Sequence, residues 1–414
     1  MTVATQVLAK SAVTHITECR LCDSRDLDLV VSFTPTPIGD HYVPASRAHE
    51  VQACYPLDVV CCRGCGAVQL ADTVDPALIY PDYLYTTSVS RGLDAHFEHY
   101  AEDVLARVQP KAGAFVVDIG SNDGTLLRAF QRRGHRVLGI DPAGDIAQRA
   151  TDFGIPTAKG FFTARQATLT RTAMNESADI ITANHVMANV ADLHDFIEGV
   201  KHLLAPDGTF VFETGYWPAI VGGNLIDTIE HEHLHYFSVK PLQQFLFSHG
   251  LTLVHAEMNS AKGGSLRGYV KHAYEPGLSV PIMANVEQLG GNIDAGRLTR
   301  WTTQLEELRQ AVQAQIAQAE KETWVGYGAA VGSTLQLYHF GLGEKLSYLV
   351  DDNPAKQGRF SPGFHVPVYD PEALKAIKPD RIVILAWRYA EQIGQQHPEF
   401  NERFLTVLPE LKAS

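Results

Sequence analysis

The chain has 414 residues, 45% of them apolar and 20% charged, and a formal net charge of −13. That balance is ordinary for a globular protein of two or three domains. Lys and Arg are scattered without a basic run, which argues against a nucleic-acid partner. No apolar run approaches the roughly 18 residues that span a bilayer, and the N-terminus lacks a signal peptide's charged start and long apolar core, so a cytoplasmic protein without a membrane partner is expected.

Residues 1–75 carry all six cysteines. Cys19-Arg-Leu-Cys22 and Cys62-Arg-Gly-Cys65 each fit on a tight knuckle that aims two thiolates at one ion. Two such knuckles make the four-sulfur cage that zinc favours, and a closed cage implies a structural role. Gly64 and Gly66 supply the permissive backbone a knuckle needs. Cys54 and Cys61 read as ordinary buried thiols. A tyrosine cluster, "YPDYLYTTS", and a helical pattern from Arg91 to Val108 follow.

From about residue 113, short apolar runs ("AFVVDIG", "RVLGID", "ADIITAN", "GTFVFET") alternate with helical patterns, the signature of a parallel, doubly wound α/β sheet. "VVDIGSNDGTLLRAF" places Asp118, Gly120, Asn122 and Gly124 at a strand-to-helix junction. An acid two residues before the first glycine, with no G-x-G, departs from the nicotinamide fingerprint. Gly120 lets the backbone approach a ligand, and Asp118 can hold the ammonium of an amino-acid moiety. Asp141, ending "RVLGID", is spaced to bind two ribose hydroxyls. Together these predict S-adenosylmethionine (SAM) in a Rossmann-like class I methyltransferase domain. "GFF" (160–162) and "ITANHVMANV" (181–190), which contains Asn184, fall where adenine and methionine contacts would lie.

Further on, "IEHEHLHYFS" (229–238) spaces His231, His233 and His235 with period two. A metal site, a general base and a polar strand edge all fit these ten residues. "AKGGSLRGYV" sets Lys262 and Arg267 beside two glycines; Arg267 reads as a partner for a phosphate or sugar oxygen, or as a surface arginine. A linker and a long polar helix (Ala295 to Lys321) then lead into a second αβα pattern. Its loop "GYGAAVGST" (326–334) is of a kind whose N–H groups can cradle phosphate.

Taken in order, the Cys quartet, "YLYTTS", "DIGSNDG", "EHEHLHYFS", "GGSLRGY", "GYGAAVGST", "DDNPAKQGRFSPG" and "ILAWRYA" resemble the sugar C-methyltransferases that act on nucleotide-linked 4-keto-deoxyhexoses in antibiotic and polysaccharide pathways. The likeness runs from Cys19 to about Ala390. It implies a zinc-binding module (1–75), a SAM domain (76–275) and a C-terminal Rossmann-like domain (276–414). A thymidine-diphosphate-linked sugar would lie in the cleft between them, in a monomer or weak homo-oligomer. It also implies a Glu-His pair beside the reacting carbon. That pair falls on Glu232 and His233, with His233 as base, and Tyr85 matches a tyrosine that approaches the sugar. Glu230 stands where the family commonly has tyrosine, and Asn189 where it has histidine. An anion at Glu230 would disfavour an adjacent enolate unless it is protonated. The alternative activity is O- or N-methylation of another small metabolite.

Overall fold

The structure, a computed structural model, describes residues 12–79, 93–272, 275–290, 294–410 and 412–413. Strands β1 (Leu27–Thr36), β2 (Tyr55–Cys62) and β3 (Val68–Leu70) form an antiparallel N-terminal sheet. The central sheet begins with β4 (Phe115–Ile119), β5 (Arg136–Asp141), β6 (Thr157–Lys159), β7 (Ala178–Asn184) and β8 (Leu204–Gly215). Strand β9 (His235–Tyr236) leaves that domain and pairs with β3, His235 opposite Gln69 and Tyr236 opposite Val68. Strands β10 (Leu251–Asn259) and β11 (Ser265–His272) complete the central sheet in the order β10-β11-β8-β7-β4-β5-β6. All neighbours in it are parallel except β11, which runs antiparallel to both β8 and β10.

Every residue of β4 is buried, which is why "FVVDI" is apolar without alternation but for its one acid. Phe115, Val117 and Ile119 enter one core with Ile197 and Val200. Val116 enters the other with Leu127, Phe130 and with Tyr100 of the helix Leu93–Val108. The strand order departs to opposite sides at β4, so a crevice opens at the carboxyl ends of β4, β5 and β7, where doubly wound sheets bind ligands.

The helix Ala295–Gln318 leads into β12 (Trp324–Tyr327), β13 (Leu346–Val350), β14 (Val368–Tyr369), β15 (Arg381–Ile384), β16 (Phe404–Thr406) and β17 (Lys412–Ala413). They are ordered β14-β13-β12-β15-β16-β17 and parallel except for the last pair. One core joins the N-terminal sheet, helices of the central unit and the C-terminal unit: Phe33 and Leu57, Trp217 and Ile226, and Leu335 and Leu349 belong to the same cluster.

Candidate active site

At the carboxyl ends of the central strands lies a cavity of about 710 Å³ whose wall includes Asp118, Gly120, Asn122, Asp141, Asn184 and Phe161. Gly120 has φ +71°, and a Cβ there would fall 2.3 Å from Val186 Cγ2, so only glycine fits. Asp141 is fixed by N–H bonds from Asn122 to Oδ2 and from Ala143 to Oδ1, each 2.8 Å. Thr182 Oγ1 donates to Asp118 Oδ1 at 2.6 Å, and burial pushes the Asp118 carboxyl up to about 7. Among the described residues, Asn184 Oδ1 and Nδ2 and Ser121 Oγ are buried without a partner. Such orphans in a cavity wall call for a polar ligand. A buried acid awaiting an ammonium, an anchored acid for ribose, an aromatic flank and a backbone open to close approach fit SAM. Gly124 (φ +75°) is off the wall; it is the N-cap residue of the helix Thr125–Arg132 and packs on Ile155.

The same cavity is also lined by Thr73 and Ile79 of the N-terminal unit and by Asn189, His231, Glu232 and Lys262. The segment 229–234 is not a strand; within "EHEHLHYFS" only His235–Tyr236 is. Its three rings go to three different carbonyls: His231 Nε2 to Tyr55 O (3.3 Å), His233 Nδ1 to Thr228 O (2.7 Å) and His235 Nε2 to Val190 O (2.9 Å). They therefore share no ligand point, and the cysteine quartet is the metal-competent group found among the described residues. His233 and Glu230 stand off the cavity wall, paired at 3.2 Å (Nε2 to Oε1). Burial raises the carboxyls of Glu230 and Glu232 to about 8 and lowers His233. Asn189 Oδ1 is buried without a partner among the described residues. Tyr85 lies outside the described residues.

Sequence reasoning missed a polar cluster on the same wall. Glu213, buried near the end of β8, accepts from His96 Nε2 (2.8 Å) and Asn259 Nδ2 (2.7 Å), and faces His185 Nε2 at 3.6 Å. Arg267 is buried here, giving Nε and Nη2 to Glu213 Oε2 at 3.1 and 3.0 Å and stacking over Tyr100. The structure thus places Arg267 in an internal ion pair rather than on the cavity wall or the surface. His185 has φ +55°, and its N–H donates to Glu213 O at 2.6 Å. Burial pushes its ring down to about 4, so it is a neutral imidazole. A histidine just past the end of "ADIITAN" was the available signal, but its partner came from another strand.

In the N-terminal unit, Cys19 Sγ lies 3.7 Å from Cys65 Sγ, and Cys22 Sγ 3.6 Å from Cys62 Sγ. Those are close to the edge of a tetrahedron with Zn–S bonds of about 2.3 Å, roughly 3.8 Å. The knuckles match: Asp23 N donates to Cys19 O and Gly66 N to Cys62 O, with Asp23 and Gly66 both left-handed. Gly64 is not left-handed; a Cβ there would meet Ser24 at 3.1 Å. Gln69 Nε2 donates to Cys19 Sγ at 3.2 Å. These four thiols fit zinc. In the C-terminal unit, Ala329 N donates to Asp351 Oδ2 at 2.6 Å, and a Cβ on Gly332 would lie 2.2 Å from Asp227 O. The start of the helix Val331–His339 is therefore packed against the central unit. Arg388 and Trp387 Nε1 both donate to the Asp227 carboxylate.

Three family models match consecutive parts of the chain: a zinc binding domain (residues 19–80), a methyltransferase domain (93–256) and a C-methyltransferase C-terminal domain (260–409). The C-methyltransferase NovU of Streptomyces niveus is 32% identical over 409 residues, covering 96% of this chain and 97% of NovU. A ubiquinone biosynthesis O-methyltransferase of Methylobacterium sp. (strain 4-46) is 32% identical over 125 residues, 29% of this chain and 48% of that enzyme. A solved SAM-dependent methyltransferase from Clostridium acetobutylicum ATCC 824 covers 44% of this chain and 92% of its own at 11% identity, with a TM-score of 0.36. The match to NovU spans the zinc-type module, the SAM crevice and the C-terminal unit alike. The chain accordingly belongs to the C-methyltransferase family and is a SAM-dependent C-methyltransferase.

Proposed function

We propose that the enzyme methylates a carbon next to the ketone of a nucleotide-linked 4-keto-deoxyhexose, and that the linked nucleotide is thymidine diphosphate. The observation that carries the reading is the meeting of two kinds of group in one cavity: the SAM-type wall of Asp118, Asp141 and Asn184, and the Glu232 and Lys262 end beside His233. SAM, when bound, supplies an activated methyl group. The protein's task is then deprotonation and alignment, because a ketone acidifies the C–H beside it. His233 suits the task. A carbonyl can only accept, so the Thr228 contact fixes the proton on Nδ1 and leaves the lone pair on Nε2. Glu232 is on the wall next to it and orients the substrate; Lys262 offers a charge for phosphate or a sugar oxygen.

His233→Asn should slow methyl transfer roughly 100- to 10,000-fold with both ligands still bound. A second assignment of the base is favoured by one observation: His185, unlike His233, is on the cavity wall itself, beside Glu213. Parental methylation by His233→Asn, with the same loss in His185→Asn, would move the base to His185.

A further inference from the structure

A polar row crosses the carboxyl ends of the central strands. Thr182 is in register with Asp118; Asn184, two residues on, is in register with Glu213, and Glu213 with Arg267. Registered partners share a face of a sheet, and so do residues two apart. All five side chains therefore project from one face. On that face Tyr100 of the helix Leu93–Val108 packs with Val116, Ile180, Val211 and Tyr269.

His96 is four residues before Tyr100 on the same helix, so the two side chains reach the sheet together. Tyr100 meets the Arg267 guanidinium, 4.3 Å from the ring centre, and His96 Nε2 meets Glu213 Oε1 at 2.8 Å. Arg267 and Asn259 donate to the other oxygen, Oε2, and keep Glu213 a carboxylate. A carboxylate only accepts, so His96 Nε2 carries a proton. Its Nδ1 has no partner among the described residues. His96 and Glu213 both line the cavity, as do Asp118 and Asn184.

An uncovered Glu213 would repel an anion in this part of the cavity. Arg267 also serves Asp103 and Glu257, at 3.2 and 3.8 Å, and His185, beside Oε1, is neutral. An imidazolium at His96 covers Glu213 and turns one N–H to the ligand. SAM bears its ammonium and its carboxylate on one carbon. With the ammonium at Asp118, the carboxylate needs a donor nearby. Tyr100 lies in the field of both Asp118 and Glu213, so the two acids stand around one ring.

We propose that His96 binds the methionine carboxylate of SAM: Glu213 holds Nε2–H, and Nδ1–H of the imidazolium donates to the ligand. Arg267, Glu213, His96 and the ligand carboxylate then alternate in charge. Glu213 and Arg267 are positioning residues that orient the ring and keep it charged. The inference concerns the methyl donor and is independent of which acceptor is methylated.

The test is calorimetric, with S-adenosylhomocysteine and its decarboxylated analogue, the same thioether ending in an aminopropyl group. Both keep the adenosine and the ammonium; only the first has the carboxylate. His96→Gln sets its amide nitrogen where Nε2 was, so it keeps the bond to Glu213 and offers nothing at Nδ1. It should weaken S-adenosylhomocysteine roughly 10- to 100-fold, as for a lost hydrogen bond to a charged group, and the analogue by no more than about threefold. Retained binding of the analogue also shows that the variant is folded. His96→Asn sets its amide near Nδ1 instead and should lose less, about three- to tenfold. If His96 merely props Glu213, the order reverses: Gln is silent and Asn is damaging. That reversed order, or equal losses for the two ligands in His96→Gln, overturns the proposal.

Discussion

The residues of this site are set by burial as much as by identity. Asp118 is raised to about 7, and Glu230 and Glu232 to about 8, each chiefly by desolvation. His185 and His231 fall to about 4 and His235 to about 3 for the same reason. The consequences for stability have opposite signs. Between the ordinary carboxyl range and pH about 8 the folded state holds more protons on these acids than the unfolded state does, so stability falls as pH rises. Between about 6.5 and 4 the folded state holds fewer protons on the histidines, so stability falls as pH drops. The unliganded protein should therefore be most stable near pH 6, by urea denaturation across pH, and Glu232→Gln should flatten the alkaline limb. An unchanged alkaline limb would mean that Glu232 is ionised when folded. Asp118, Asp141 and Asn184 were legible in the sequence because each falls at or next to the carboxyl end of its own apolar run, in β4, β5 and β7. The Glu213 cluster was not, since it depends on residues brought together from different strands and helices.

At the scale of elements, the zinc knuckles and the segment 229–236 are one construction. Gln69 donates to Cys19 Sγ and lies opposite His235 in the β3–β9 pair, and Leu70 N donates to Leu234 O. The period-two histidines suggested a strand, but the segment turns where each ring reaches its own carbonyl, and the pairing begins only at His235. Period alone cannot reveal that competition from side-chain-to-backbone bonds. The purified protein should hold about one zinc per chain, and Cys62→Ser should lose it. Because the SAM wall stands on β4, β5 and β7, Cys62→Ser should reduce turnover far more than SAM affinity by calorimetry. Equal loss of both would show that the zinc unit supports the whole crevice.

At the scale of the molecule, one core joins the N-terminal, central and C-terminal units, and Asp227 of the central unit is clamped by Arg388 and Trp387 of the C-terminal unit. The zones of the sequence were visible as changes of pattern, because periodicity reports which residues of an element are apolar. It does not report which faces meet, so the common packing of Phe33, Trp217 and Leu335 could be seen only in three dimensions. That packing brings the SAM crevice, the "EHEHLH" turn and Lys262 to one cavity. In the proposed reaction this cavity removes a proton from carbon before a methyl group arrives there. That order is tested most directly by incubating the enzyme in D2O with a thymidine-diphosphate 4-keto-deoxyhexose and no methyl donor, then adding SAM and locating the new methyl group by NMR. Deuterium entering beside the ketone, followed by a methyl group on that same carbon, is the expected result. A methyl group on oxygen or nitrogen, without prior exchange, would contradict it.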